Sequence, residues 1–331
     1  MKRKSSRVYV IISLSIFVGV LPLSSSLAIG NKPSELMTSL DWKPIPQDGV
    51  INASGRYCLQ QDMPTDRSTG IDVQVNDVTL DLGGHALRYT GRPQEGTYGI
   101  TVNNRTGVTI ANGAIGGFWF NIHCTQNQRL RIRDISFDDI PYLAVNVAQS
   151  KDVVISDNSF SNFRFDLTKA KGSTYVIGVN IGAEDAIISN NRFIAQPNAG
   201  SARDVNVETV FVLFSANVSK SCLVAQNDMA GSEALPRSYG VWVATNAQAT
   251  IANNSIRNMK YGVCLADDAS ALVCFNRFAV GAALGDTAPL ESFGISALKA
   301  RDILDVKNTF DGVSVPSLMP KSPEAQDVSG N

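Results

Sequence analysis

Three stretches of this chain set basic and acidic residues close together: Arg164, Asp166, Lys169 and Lys171; then Arg203, Asp204 and Glu208; then Glu233 and Arg237. Basic and acidic groups at this density suit work on a charged polymer. β-Elimination of an acidic sugar chain needs a cation or donor for the uronate, a base for the proton beside it and an acid for the leaving oxygen. Arg164, Lys169 and Lys171 are the expected carboxylate clamp, Glu233 and Arg237 further substrate contacts, and Arg203, Asp204 and Glu208 the expected catalytic groups. His123 joins them because an imidazole exchanges its proton near neutrality. Glycoside hydrolysis would instead need two carboxyl groups about 5 to 10 Å apart across the scissile bond. Asp204 with Glu208, or either with Glu233 or Asp166, could supply that pair.

A repeat must position these groups. Six asparagines, Asn158, Asn191, Asn227, Asn254, Asn276 and Asn308, each stand two residues before a large apolar residue, in frames such as ISDNSF and IANNSI. Aligned on that apolar residue, eight copies run Ile115, Phe137, Phe160, Phe193, Met229, Ile256, Phe278 and Phe310. Five residues before each lies a second apolar position, broken only in the last copy by Asp305. Ten residues earlier again comes a short alternating strand centred on Ile100, Ile122, Val145, Val241, Val263 and Ile295, but Val179 stands nine before Ile188 and Val212 twelve before Val224. Alternation over short runs predicts half-buried strands, and this period predicts stacked coils, each burying its inner face against its neighbours. Asparagines at one register, repeated at the strand spacing of about 4.8 Å, are expected to hydrogen-bond along the axis as a ladder.

The coil lengthens at one turn only. The return from third strand to next first strand is eight residues from Phe137 to Val145, but nineteen from Phe160 to Val179 and from Phe193 to Val212, and seventeen from Phe278 to Ile295. Insertions on one edge of a solenoid imply a groove there. Its floor is the outward row Thr101, His123, Asn146, Asn180, Leu213, Trp242, Cys264 and Ser296, and its walls are the loops at 161–176, 194–209 and 230–238. Asn146, Asn180 and Trp242 are therefore the expected floor contacts, the indole for stacking on a sugar face. The aromatics Tyr98, Phe120, Tyr239, Tyr261 and Phe293 fall two residues before each strand centre, which by alternation directs them inward.

The segment Val78-Thr79-Leu80-Asp81-Leu82-Gly83-Gly84-His85-Ala86-Leu87, after Gly55-Arg56-Tyr57-Cys58-Leu59, resembles the opening of the right-handed parallel β-helix proteins, the pectin-lyase-like family, over roughly residues 45 to 312. That resemblance implies an all-β, single-domain right-handed parallel β-helix solenoid with an asparagine ladder and an N-terminal cap. It also implies a polysaccharide lyase-like enzyme acting on an acidic polysaccharide. A glycoside hydrolase, an epimerase or a non-catalytic carbohydrate-binding or cell-envelope protein stays open, because one scaffold carries many activities. The row of carboxylates by which calcium-dependent members hold their ion has no counterpart at the central floor positions. No metal ligand set or cofactor is evident, and the need for a divalent cation is left open.

Residues 1–28 read as a secretory signal: Lys2, Arg3, Lys4 and Arg7, an apolar run from Val8 to Leu21, and Ser26-Leu27-Ala28 as a cleavage site. Export, to the periplasm or beyond, is expected, with no later segment apolar enough to span a bilayer. Removing four of the 29 basic residues and none of the 30 acidic ones gives 25 − 30 = −5, the wrong sign for a nucleic-acid binder. Residues 29–70 are the expected cap, 71–313 the β-helix and 314–331 a polar tail. Five cysteines and two histidines lack the spacing of a disulfide framework or zinc site. The expected partner is a polysaccharide, and the oligomeric state is open.

Overall fold

Among the described residues the repeating apolar runs form strands, and these pair in parallel with their counterparts in neighbouring coils. The structure, a computed structural model, describes residues 41–163, 174–195, 207–216, 218–231, 238–280, 292–297 and 300–318. Among them three sheets run along one axis. The first sheet includes Tyr98–Asn103, Phe120–Thr125, Val207–Phe214, Ser238–Val243 and Tyr261–Leu265. The second includes Val78–Asp81, Cys222–Ala225, Gln248–Ala252 and Ser270–Cys274. The third includes Arg192–Ile194, Asp228–Ala230, Ser255–Arg257 and Arg277–Ala279. Inward residues from all three meet in one core, where Ile122, Val145, Val241 and Val263 from the first sheet are wholly buried. Parallel strands leave no backbone edge unpaired except at the ends of the stack.

Of residues 29–70, the described part from 41 pairs in parallel with the coils that follow: Gly55–Cys58 with Val78–Asp81, and Met63–Thr65 with Ala86–Tyr89. At the other end Val315–Leu318 pairs with Phe293–Ser296. Parallel pairing therefore reaches beyond 71–313 in both directions.

The turn from second to third sheet carries the asparagine ladder. Nδ2 of Asn158, Asn191, Asn227, Asn254 and Asn276 each donates to Oδ1 of the next member, at 2.9 to 3.0 Å. The same Oδ1 atoms accept the preceding asparagine's backbone N–H, and each Nδ2 also donates to a carbonyl of the coil before, as Asn227 does to Ile188 at 2.9 Å. The ladder thus satisfies buried turn backbone that water cannot reach. It ends on the residue that breaks the apolar register, because Asn308 Nδ2 donates to Asp305 Oδ1 at 2.6 Å. Beside it Phe137, Phe160 and Phe193 stack with centroids 4.7 and 4.4 Å apart.

One inward assignment is overturned. Tyr98, Phe120, Tyr239, Tyr261 and Phe293 are half-buried and lie on the outer face of the first sheet. Alternation fails at the next residue. A Cβ on Gly240 would lie 2.9 Å from the core side chain of Ile256, so this position faces inward, as does Val241 after it. Two consecutive inward positions put Tyr239 outside.

Asn227→Ala should lower stability by about 2 to 5 kcal/mol, since it strands two buried donors and a carbonyl. Asn308→Ala, at the half-buried end, should cost about 1 kcal/mol. Urea midpoints at unchanged slope read both; equal midpoints for Asn227→Ala and the parent would remove the ladder as a source of stability.

Candidate functional site

The outer row of the first sheet stands in the expected register: Thr101, His123, Asn146, Asn180, Leu213, Trp242, Cys264 and Ser296 are successive neighbours. The structure adds Asp72 one coil before Thr101. The frame Gly70-Ile71-Asp72-Val73 matches Gly99-Ile100-Thr101-Val102, so the signal for it lies in the sequence. Thr101 Oγ1 donates to Asp72 Oδ1 at 2.5 Å and Gln74 Nε2 to Asp72 Oδ2 at 2.7 Å.

The middle of the row is a second, outward amide chain. Ser215 Oγ donates to Asn180 Oδ1 at 3.0 Å, and Asn180 Nδ2 donates to Asn146 Oδ1 at 2.7 Å. That fixes the Asn146 amide so that its Nδ2, 3.0 Å from His123 Nδ1, donates to the ring. An amide nitrogen cannot accept, so Nδ1 is the acceptor and the hydrogen of the neutral ring sits on Nε2. Burial lowers the His123 pKa, and a second ring proton would oppose the amide donor. His123 is thereby built as a neutral donor through Nε2, with Nδ1 already engaged.

Rings flank this row. His123 has Tyr98 at 5.1 Å and Phe120 at 5.2 Å, centroid to centroid, and Trp119 stacks on Tyr142 at 4.8 Å. Further along, Tyr239 stacks on Trp242 at 5.0 Å and on Tyr261 at 4.9 Å, and Tyr261 on Phe293 at 5.2 Å. Lys260 Nζ lies 5.2 Å from the Phe293 centroid. Between the two groups Leu143, Ile177 and Val210 form a small apolar cluster separate from the core.

Glu208 is not in a loop. It lies in the strand Val207–Phe214, paired with Tyr175, and only 7% of its surface is exposed. The strand starts before the expected loop ends because its outer face has a partner surface in Tyr175 and Tyr239. Burial raises the pKa of Tyr239, and the Glu208 carboxylate raises it further. Burial, again with Glu208, pushes Cys264 up to about 11. Glu208 and Trp242 thus share one neighbourhood with Tyr175, Tyr239 and Cys264. Asn180, Asn146 and His123 lead away from it, one, two and three coil rises before the Glu208 strand, so that His123 is about 14 Å away along the axis. Arg164, Asp166, Lys169, Lys171, Arg203, Asp204, Glu233 and Arg237 lie outside the described residues. The strand ends that flank those segments, such as Ser159–Phe160 and Thr174–Ser189, or Asp228–Ala230 and Ser238–Val243, all stand at the return from third sheet to first.

The stacked parallel sheets with their amide ladder define a right-handed parallel β-helix protein. The chain belongs to the NosD family, described as periplasmic copper-binding protein, whose profile matches residues 84–283. No curated protein sequence matches the chain. Among solved structures, the tailspike protein of Escherichia coli bacteriophage HK620, in complex with a pentasaccharide, is similar at 11% identity and a TM-score of 0.57, over 79% of this chain and 52% of the tailspike. This chain thus spans about half of the tailspike's length, and the likeness shows the fold. An alginate lyase from Paenibacillus sp. str. FPU-7 is similar at 13% identity, TM-score 0.45, over 67% of this chain and 87% of the lyase. The Streptococcus pneumoniae surface protein and adhesin PfbA is similar at 11% identity, TM-score 0.47, over 84% and 90%.

Copper in the family's description can be set against the donors present. Copper(I) favours thiolates and thioethers, copper(II) imidazoles in a tetragonal set. Among the described residues no three of His, Cys, Asp and Glu come together so as to hold a metal ion. Burial pushes Cys222 up to about 11 and raises Cys58, Cys124 and Cys274 as well. These side chains do not fit the copper. No helix among the described residues is long and apolar enough to cross a membrane.

The lowered His123 pKa has a linked effect on stability. Above the unfolded value of about 6.5 the ring is neutral in both states; below it the unfolded chain takes up the proton first, so stability falls as pH drops through that value toward the folded pKa. NMR titration of His123 should show a midpoint below about 6.5 that rises in Asn146→Ala. A midpoint unmoved by Asn146→Ala would detach the ring from the amide chain.

Proposed function

We propose that the chain is an exported protein that binds an acidic polysaccharide along the outer face of the first sheet and cleaves it by elimination. The observation that carries this is the amide chain ending on His123 with ring faces beside it. Amides and an imidazole N–H suit the hydroxyls and carboxylate of a uronate, and rings suit the apolar faces of the sugars. The periplasmic description of the family supports export. The pentasaccharide belongs to the tailspike; the reading for this chain rests on its own outer face.

In elimination the base takes the proton beside the carboxylate, that bonding pair becomes the new carbon–carbon double bond, and the leaving oxygen departs with a proton from an acid. His123 Nε2–H, Asn146 and Asn180 would hydrogen-bond the uronate carboxylate as charge builds on it, Arg164, Lys169 and Lys171 would neutralise it as the clamp, and water would give the leaving oxygen its proton. Arg203 is the candidate base, Asp204 its partner. Hydrolysis would need Asp204 with Glu208, or either with Glu233 or Asp166, because Asp72 and Glu208 stand five coil rises apart, about 24 Å along the axis, beyond the about 5 to 10 Å that a hydrolase pair needs. A non-catalytic binder is the second reading, favoured by amides that spend their hydrogen bonds on one another and so make a rigid surface.

Incubation with acidic and neutral polysaccharides separates these. New ultraviolet absorbance with new reducing ends marks elimination, new ends without absorbance hydrolysis, and retention on a polymer column with neither marks binding alone. His123→Ala should lower turnover by about 10²- to 10³-fold, the effect of removing one donor from developing charge. Trp242→Ala should weaken binding about three- to tenfold, the value of one ring stacking contact. Full activity in both would remove the first sheet as the site.

A further inference from the structure

The two coils of irregular length meet at the turn between first and second sheets, at the far end of the first strands from the long returns. Leu143–Ser156 and Thr174–Ser189 run straight through this turn. Their register slips there, Ala148 facing Gly182 and Ser150 facing Ala183, so that Gln149 is extruded with φ 50°. Such a bulge re-aims one side chain out of the ladder. One coil on, the first strand ends at Phe214 and the second begins only at Cys222. A coil shortened by one residue therefore lies between a bulge and a lengthened turn. The notch that results is a cleft of about 730 Å³, lined by Gln126, Gln128, Gln149, Lys151, Glu184 and Lys220 over the buried Asn127 and Ser150.

The floor of this cleft is saturated. Asn127 Nδ2 donates to the Val102 carbonyl at 2.8 Å, its Oδ1 accepts the Arg105 N–H at 2.9 Å, and its backbone N–H donates to Ser150 Oγ at 3.0 Å. The rim is not. Gln126, Gln128 and Gln149 are exposed, and their side-chain amides make no hydrogen bond among the described residues. Gln126 and Gln149 share the left-handed backbone, φ 58° and 50°, and sit in successive coils, which spaces their amides by one strand separation. Lys151 Nζ lies 3.8 Å from Glu184 and 3.8 Å from Asp185, and Lys220 pairs with Glu184 through an isolated backbone bridge.

We propose that this cleft is a second binding site, for a short anionic oligosaccharide. The rim amides, donor and acceptor in one group, pair with sugar hydroxyls, and Lys151 and Lys220 take the acidic group from either side of Glu184. The site is independent of the first-sheet reading, since none of its side chains belongs to the outer row.

Calorimetric titration of the full chain carrying His123→Ala with tetragalacturonate, beside neutral cellotetraose, tests it with cleavage at the first sheet suppressed, and substitutions in the cleft assign the binding to it. Saturable binding of the acidic tetramer is expected, weakened about tenfold or more when Lys151→Gln and Lys220→Gln are added, and about threefold or more by Gln149→Ala. All three are exposed positions, and thermal unfolding confirms that each variant is folded. The proposal is overturned by absence of saturable acidic binding, by binding that the lysine variant leaves unchanged, or by cellotetraose binding as tightly. Activity lost in His123→Ala with cleft binding retained shows the two sites to be separate.

Discussion

A polar side chain inside a stack of coils can stay there only if each of its donors and acceptors is met, and the asparagine ladder meets them by using the next coil as partner. Each amide bonds upward, downward and to the turn backbone. The coils are held in one register, because a slip by one residue would break every rung below it. That register puts side chains of equal position at one strand separation along the axis. The outer-face amide chain from Asn146 onward and the ring column of Tyr239, Tyr261 and Phe293 share that register, and parallel strand pairing carries it back to His123, Phe120 and Tyr98.

The ladder also explains a departure from the repeat. Asp305 occupies a slot that is apolar in the other copies, and there it accepts the last free amide hydrogen of the series. Its neighbour Leu304 is 59% exposed, in keeping with a coil near the open end of the stack. A carboxylate at the end of a row of donors closes it where no further asparagine follows.

The fold was legible because apolar spacing and the asparagine frame are local signals repeated many times, each copy checking the others. The outer row was legible for the same reason, as far as the succession of His123 and Asn146, while the hydrogen bond between them was not. The aromatic columns were not. Strict alternation places Tyr239 inward, and only the contacts of Gly240 with Ile256 reveal that two neighbouring residues face the core. Glu208 was read as a loop residue because the distance from Phe193 to Val212 does not tell how much of the excess is strand. Asp72 was missed by starting the row one coil too late. The cleft at the opposite turn was present in the sequence only as two irregular spacings, nine residues and twelve where ten is the rule. Its meaning appears when the short coil is seen stacked under the long one.

Five cysteines remain as free thiols, four of them buried. A thiol kept protonated is a poor nucleophile toward disulfides, and stacking the coils makes no demand on any sulfur. The pairing of the described strands can thus form under reducing or oxidising conditions alike.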